Sequence, residues 1–222
     1  MAATSDVPVR RSAREQILDT AYELFSQRGI RAVGVDEVIA RSGVAKATLY
    51  KHFRSKNELA LAFLQRREQR WTRDLLEGGS AKLASDPEGQ LLAMFDVLDT
   101  RFRKLESFNE CSFISVLLEM GTNHSVGQAC VRYLANVRVM IARRATAAGL
   151  ADPDEFAKSF HILIKGTIIA ANEGDPKAAQ RGQDMARDLI EQHRRTPQYG
   201  SKRVLPAGKA GQTRRARPAP TV

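Results

Sequence analysis

Cysteine is almost missing from this chain. Cys111 and Cys130 are the only two, and their separation fits neither a zinc-ligand pattern nor a disulfide framework. They read as two half-buried thiols of a cytoplasmic protein. Histidine is scarce as well. Residues 52, 124, 161 and 193 form no HExxH or similar pair, and no Gly-rich loop of the phosphate-cradling kind occurs. No metal and no cofactor is therefore expected. The chain is not expected to be an enzyme either, unless a catalytic set forms only in space. Long apolar runs are absent too: none reaches the roughly 18 residues that a membrane span requires. Arg10 and Arg11 have no apolar segment behind them, so no secretory leader is expected. Finally, no segment alternates polar and apolar residues as a half-buried strand does. What remains is an all-α protein.

Charge is present but unevenly spread. The 222 residues carry a net charge of +10. Residues 1–56 hold ten Lys/Arg against six Asp/Glu, residues 57–193 hold seventeen against nineteen, and residues 194–222 hold eight against none. An ordinary soluble middle thus lies between two basic ends. Basic ends suit a polyanionic partner, or serve only as solvated tails. The chain is long enough to bury a real core, as one large or two small domains.

Helix punctuation is legible. Ser12 with Glu15, and Ser55 with Glu58, have the spacing of a capping box. Asp86, Asp152 and Asp175 each precede a proline, which puts an acceptor at the cap and Pro at the first helical position. Gly29, Gly78-Gly79, Gly121, Gly149 and Gly174 mark helix ends. These marks predict nine helices, over 12–28, 35–41, 45–52, 55–77, 87–105, 110–120, 125–148, 153–173 and 176–194. Ile17, Ala21, Leu24, Phe25, Val38, Ile39, Val44, Leu49, Phe53 and Leu59 are expected to form a small core for a three-helix head. The fourth helix, carrying Leu61, Phe63, Leu64, Trp71, Leu75 and Leu76, is expected to join that head to a larger body.

The densest signal is DEVIARSGVAKATLYKHFRSKNEL, over 36–59. Two helices this short cannot stand alone in water, so they must pack as a unit. The tight Gly43 turn between them is the turn of a helix-turn-helix. In AKATLYKH only Leu49, with Phe53 four residues on, is clearly apolar. The broad remaining face of hydroxyl and basic groups suits a DNA major groove. The same pattern also fits an ordinary surface helix of an all-α protein.

The residue match decides between them. GVAKATLYKHFRSKNEL resembles the DNA-binding signature of the TetR family of repressors, G-V-S-K-G-T-L-Y-x-H-F-x-S-K-E-x-L. The likeness extends upstream from Val44 to Arg14, through VDEVIA, Gly29 and Phe25. The resemblance implies an N-terminal helix-turn-helix DNA-binding domain over 1–56 and an effector-binding and dimerisation domain over 57–195. A basic tail over 196–222, rich in Pro, Gly, Ala and Arg, is expected to be disordered. The resemblance further implies a repressor on double-stranded DNA with a palindromic operator. Lys46, Thr48, Tyr50, Lys51 and His52 would face the groove, and Lys56 the DNA backbone. The chain departs from the family in having Ala45 and Gly34 where Ser or Thr usually caps a helix, so one phosphate hydrogen bond is expected to be lost.

The last two helices carry clean stripes, Phe156, Phe160, Leu163, Ile164, Thr167, Ile168 and Gly182, Met185, Ala186, Leu189, Ile190. Ala178, Ala179, Gly182 and Ala186 would permit close helix approach, with Gly182 expected between subunits. The stripes are partly intramolecular core, and the resemblance implies a homodimer through these helices. The middle helices could line an effector cavity with Met94, Leu98, Phe102, Phe113, Leu117, His124, Tyr133 and His161. Plain core is the simpler reading for each of them singly. The effector itself is not named by any residue. An architectural DNA-binding protein without an effector is the competing reading.

Overall fold

A computed structural model describes residues 11–104 and 113–195. Phe108, Asn109 and Cys111, the N-terminal stretch and the basic tail fall outside the described residues. Within them every regular element is helical, and nine helices follow one another. They are α1 (Ala13–Arg28), α2 (Val35–Ser42), α3 (Lys46–His52), the long α4 (56–83), α5 (Pro87–Lys104), α6 (Phe113–Met120), α7 (Ser125–Ala147), α8 (Pro153–Asn172) and α9 (Ala178–Arg195). Among the described residues no helix is long and apolar enough to cross a membrane.

Caps explain most boundaries. Ser12 Oγ accepts the Glu15 N–H and Ser55 Oγ accepts the Glu58 N–H, both at 3.2 Å. Glu58 reaches back past its cap residue to the Arg54 N–H, whereas Glu15 turns to Arg66 on α4. Asp86 caps α5 through the Gly89 N–H at 2.7 Å. Asp152 does not act as expected. It adopts φ 48° and its side chain makes no cap bond, so Pro153 alone starts α8. Gly34 and Ala45 stand at the caps of α2 and α3, and neither offers a side-chain acceptor.

Gly78-Gly79 does not end the fourth helix. Lys56–Arg67 is α-helical, Glu68–Gly78 is wound as a π-helix, and Gly79–Leu83 returns to α. Gly79 keeps right-handed helical angles, φ −62° and ψ −48°. A Cβ there would lie 3.1 Å from Val97 Cγ2, so this glycine serves close packing against α5. Two acceptors near it, a carbonyl and a hydroxyl, take a donor from another helix. The buried Arg144 of α7 donates to Glu77 O and to Ser80 Oγ, each at 2.8 Å. Burial pushes its guanidinium pKa down, partly countered by Glu77.

Two apolar clusters share the interior. The first joins Ile17, Ala21, Phe25, Leu49 and Phe53 of the head to Phe63 and Leu64 of α4, and continues into Phe113, Val116 and Cys130. Tyr22 and Phe25 both meet Phe63 edge to face, at centroid separations of 5.3 and 5.5 Å. The second lies wholly in the body, where Met94, Phe95 and Leu98 of α5 pack on Ile141, Phe156, Phe160 and Ile190. Trp71 touches both clusters. Gly182 of α9 is buried, and a Cβ there would strike Thr167 and come within 2.7 Å of Phe95. Its smallness, like that of Ala178, Ala179 and Ala186, therefore serves packing inside the chain, where the sequence had suggested a contact between subunits.

Candidate nucleic-acid interface

Gly43, at φ 67° and ψ 16°, ends α2 in the left-handed region that glycine tolerates best, and α3 starts three residues later. Leu49 and Phe53, each 1% exposed, anchor α3 to the head, and the Arg14 guanidinium lies 5.2 Å above the Phe53 ring. With those two side chains pointing in, the rest of α3 must point out. Lys46, Tyr50 and Lys51 are exposed, and Thr48 and His52 are half-buried beside them. A phenol left 43% exposed on so short a helix is a costly apolar surface to leave without a partner. Lys46 Nζ lies 3.3 Å from Asp36 on α2 in a solvent-exposed pair. Five of the six sequence-predicted residues thus lie on α3, and Lys56, at the start of α4, differs from them. Its ammonium donates to Arg31 O at 3.2 Å, which ties the start of α4 to the turn between α1 and α2.

That turn is held from the body as well. Glu119, near the end of α6, accepts the backbone N–H of Ile30 at 3.1 Å and of Arg31 at 2.5 Å. Gly29 beside it sits at φ 83°, and a Cβ there would come within 3.1 Å of the same carboxylate. The sequence offered no sign of Glu119, because nothing local links residues almost ninety positions apart.

Behind the head lies a small cavity of about 40 Å³. Arg67, Trp71 and Leu76 of α4 form one wall, and Phe113 and Ile114 of α6 close one side. His161, Ile164 and Lys165 of α8 face them. Arg67 stands 5.7 Å from the Trp71 ring centre and 5.9 Å from that of Phe113. Burial pushes the His161 pKa down to about 3, helped by the positive charges of Lys165 and Arg138, so the ring is neutral at any ordinary pH. Burial and Arg138 also lower the Lys165 pKa.

Of the eight residues suggested for an effector cavity, Phe113 and His161 line this one. Leu117 and Tyr133 pack against the head-side cluster, and Met94 and Leu98 are fully buried in the body cluster. Phe102 faces a separate cleft beside Gly174 and Asp175. His124 caps α7, its Nδ1 accepting the Val126 N–H at 3.2 Å. Sequence reasoning missed Arg67 and Lys165. Each had a readable signal, a cation four residues from an aromatic or imidazole on a buried helical stripe: Arg67 after Phe63 and before Trp71, and Lys165 after His161.

On the outer side of α8 and α9, Ile162, Ile169 and Met185 are exposed by 66%, 53% and 57%. Gly166 lies between the two isoleucines with nothing near its missing Cβ. Leu163 and Leu189 floor a shallow groove between the helices.

Comparison with known proteins agrees with this architecture. Residues 17–63 match the family model described as bacterial regulatory proteins, tetR family. The HTH-type transcriptional activator FasR of Mycolicibacterium smegmatis is 53% identical over 57 residues, 26% of each chain, so this chain spans about a quarter of that protein's length. The HTH-type transcriptional regulator TtgR of Pseudomonas putida is 26% identical over 165 residues, covering 70% of this chain and 78% of that one. Among solved structures, SCO4454, a TetR-family transcriptional regulator from Streptomyces coelicolor, superposes with a TM-score of 0.71 at 23% identity, over 82% of this chain and 95% of that one. The family is one of regulators and not of enzymes. Residues 17–63 thus carry the region that marks bacterial regulatory proteins of the tetR family, and the described chain as a whole has the fold of solved TetR-family regulators.

Proposed function

We propose that the protein is a sequence-specific DNA-binding transcriptional regulator. It acts as a homodimeric repressor that leaves a two-fold symmetric operator when a small-molecule effector enters its body. The observation that carries this reading is the outer face of α3, where Lys46, Tyr50 and Lys51 stand exposed over the buried anchors Leu49 and Phe53. Lys46 and Lys51 supply charge for phosphates. Thr48, Tyr50 and His52 can hydrogen-bond to phosphate oxygens or base edges. The Lys46–Asp36 pair is exposed, and such pairs are worth about 0–1 kcal/mol, so a phosphate can displace it. Lys56 steadies the turn at Arg31 and directs its remaining donors to the DNA backbone. This makes residues 1–56 the DNA-binding unit and the helices after them the effector and dimer unit.

A symmetric operator calls for a symmetric protein. The stripe of Ile162, Gly166, Ile169 and Met185 supports a bundle of α8 and α9 from two subunits, with Gly166 at the closest approach. Release follows from α4. Its π-wound segment, a rare winding that recurs at functional sites, borders the cavity, and its first turn adjoins α3. The cavity of about 40 Å³ is far below the roughly 300–1,000 Å³ of drug-sized sites, so an effector must part the helices around it. Such a ligand shifts the protein only by its differential affinity for the two forms. The work is done on cytoplasmic DNA and calls for no metal, cofactor or membrane.

Nuclease footprinting on the DNA flanking the protein's own coding region tests the reading. The expected result is one short palindromic protected site, lost when an effector is added. Protection that spreads in proportion to DNA length, with a steep salt dependence, would replace it with an architectural role without an effector.

A further inference from the structure

We propose that the cavity between α4, α6, α7 and α8 selects a small amphipathic acid, a carboxylate carried on an apolar body. The inference rests on the reading of the body as an effector domain and gives that effector a chemical class. Most of the lining is hydrocarbon, with Trp71, Leu76, Phe113 and Ile164 as its larger surfaces. The polar lining is one-sided: Arg67, His161 and Lys165 reach the cavity, and among the described residues no acid does. His161 is only 4% exposed, and its buried Nδ1 has no hydrogen-bond partner. A buried polar atom in that state marks a place for a partner that arrives from outside. The field around it comes from Lys165 and Arg138, which oppose a proton on the ring and attract a carboxylate to it.

A neutral alcohol of the same body could bond to His161 but would gain nothing from Lys165. A quaternary ammonium would meet Lys165 with a like charge. Selection by charge sign is therefore the signature of this site, and Lys165 is the residue that reads it. His161 fixes the orientation of the head group through one hydrogen bond. Trp71 packs against the apolar body.

The full-length protein carries its own probe, because Trp71 is the only tryptophan in the chain and lines the cavity. Its emission is to be titrated with decanoate, decanol and decyltrimethylammonium, each below the concentration at which it forms micelles. Decanoate should saturate with an affinity about tenfold or more above decanol, the scale of one charge-assisted hydrogen bond. The ammonium compound should bind more weakly still. Lys165→Met, checked for unchanged far-UV circular dichroism, should bring decanoate down to the level of decanol and leave decanol as it was. Equal binding of acid and alcohol, a preference for the ammonium compound, or a silent Trp71 would each overturn the proposal, and so would a Lys165→Met protein that keeps the preference. Operator affinity measured on the same samples separates the two readings. Acid binding without any change in operator affinity would remove effector-driven release and keep the acid site, whereas intact operator binding with a silent Trp71 would remove the acid site alone.

Discussion

Glu119 and Ile30 lie 89 positions apart, yet the carboxylate of the first accepts the backbone N–H of the second. Arg31 gives its N–H to the same group, and Lys56 holds the Arg31 carbonyl from the other side. The turn between α1 and α2 is thus a shared part: α6, a wall of the cavity, grips it from the body, and α4 grips it from the head. Glu119→Gln keeps the size and one acceptor oxygen but sets an NH2 group against a backbone N–H. Hydrogen bonds to charged groups are worth about 1.5–3 kcal/mol, so thermal or denaturant unfolding should show a loss of that order. The same variant should weaken the effect of any effector on operator affinity, measured by fluorescence anisotropy. Wild-type stability and an unchanged effector response would take Glu119 out of the relay.

The proposed dimer makes opposite demands on two residues, Ile162 and Gly182. Ile162→Glu puts a charge on the exposed stripe of α8, away from the chain's own core. It should yield a monomer by analytical ultracentrifugation with helicity and melting temperature near wild type. Gly182→Glu drives a side chain into Thr167 and Phe95, and its effect should be lost folding stability, with overpacking typically costing about 1–3 kcal/mol or more. An Ile162→Glu protein that sediments as a dimer would exclude this face as the interface.

Arg144 carries a prediction about stability alone. It satisfies Glu77 O and Ser80 Oγ at the far end of α4 from a site 5% exposed. Arg144→Met keeps much of the apolar stem but removes the charged donor, leaving Glu77 O and Ser80 Oγ only the bonds that the Ser80 hydroxyl makes within α4. Hydrogen bonds to charged groups are worth about 1.5–3 kcal/mol, so denaturant unfolding should show a loss of stability of that order. Operator specificity should not change, because Arg144 lies in the body, away from α3.

Most of the fold was written in local chemistry. Ser12, Ser55 and Asp86 cap the helices they precede, and Gly29, Gly43, Gly121, Gly149 and Gly174 all take positive φ. The failures share a cause, which is that distant partners override local signals. Gly78-Gly79 reads as a stop until Arg144, some 65 positions later, is seen donating to the Glu77 carbonyl and Val97 is seen packed against Gly79. Gly182 reads as an interface residue until Phe95 and Thr167 are seen filling the space beside it. The α3 face was legible because Leu49 and Phe53 alone must point inward, which forces every polar neighbour out. The cavity was not, because Met94 and Leu98 have the same apolar character as Leu76 and Ile164, and composition does not say which of them borders a void.

The central claim is that the outer face of α3 reads DNA. Tyr50→Ala and Lys51→Ala remove side chains that the fold leaves exposed on α3. The direct measurement is the affinity of each full-length variant for the footprinted operator, taken by anisotropy over a range of salt concentrations. Each variant should lose about 1–3 kcal/mol of binding, and Lys51→Ala should also flatten the slope of log affinity against log salt by about one unit. Circular dichroism and melting temperature should stay at their wild-type values. Wild-type operator affinity and slope in both variants would contradict the assignment of this face to DNA, and with it the account of the protein as a regulator that binds through α3.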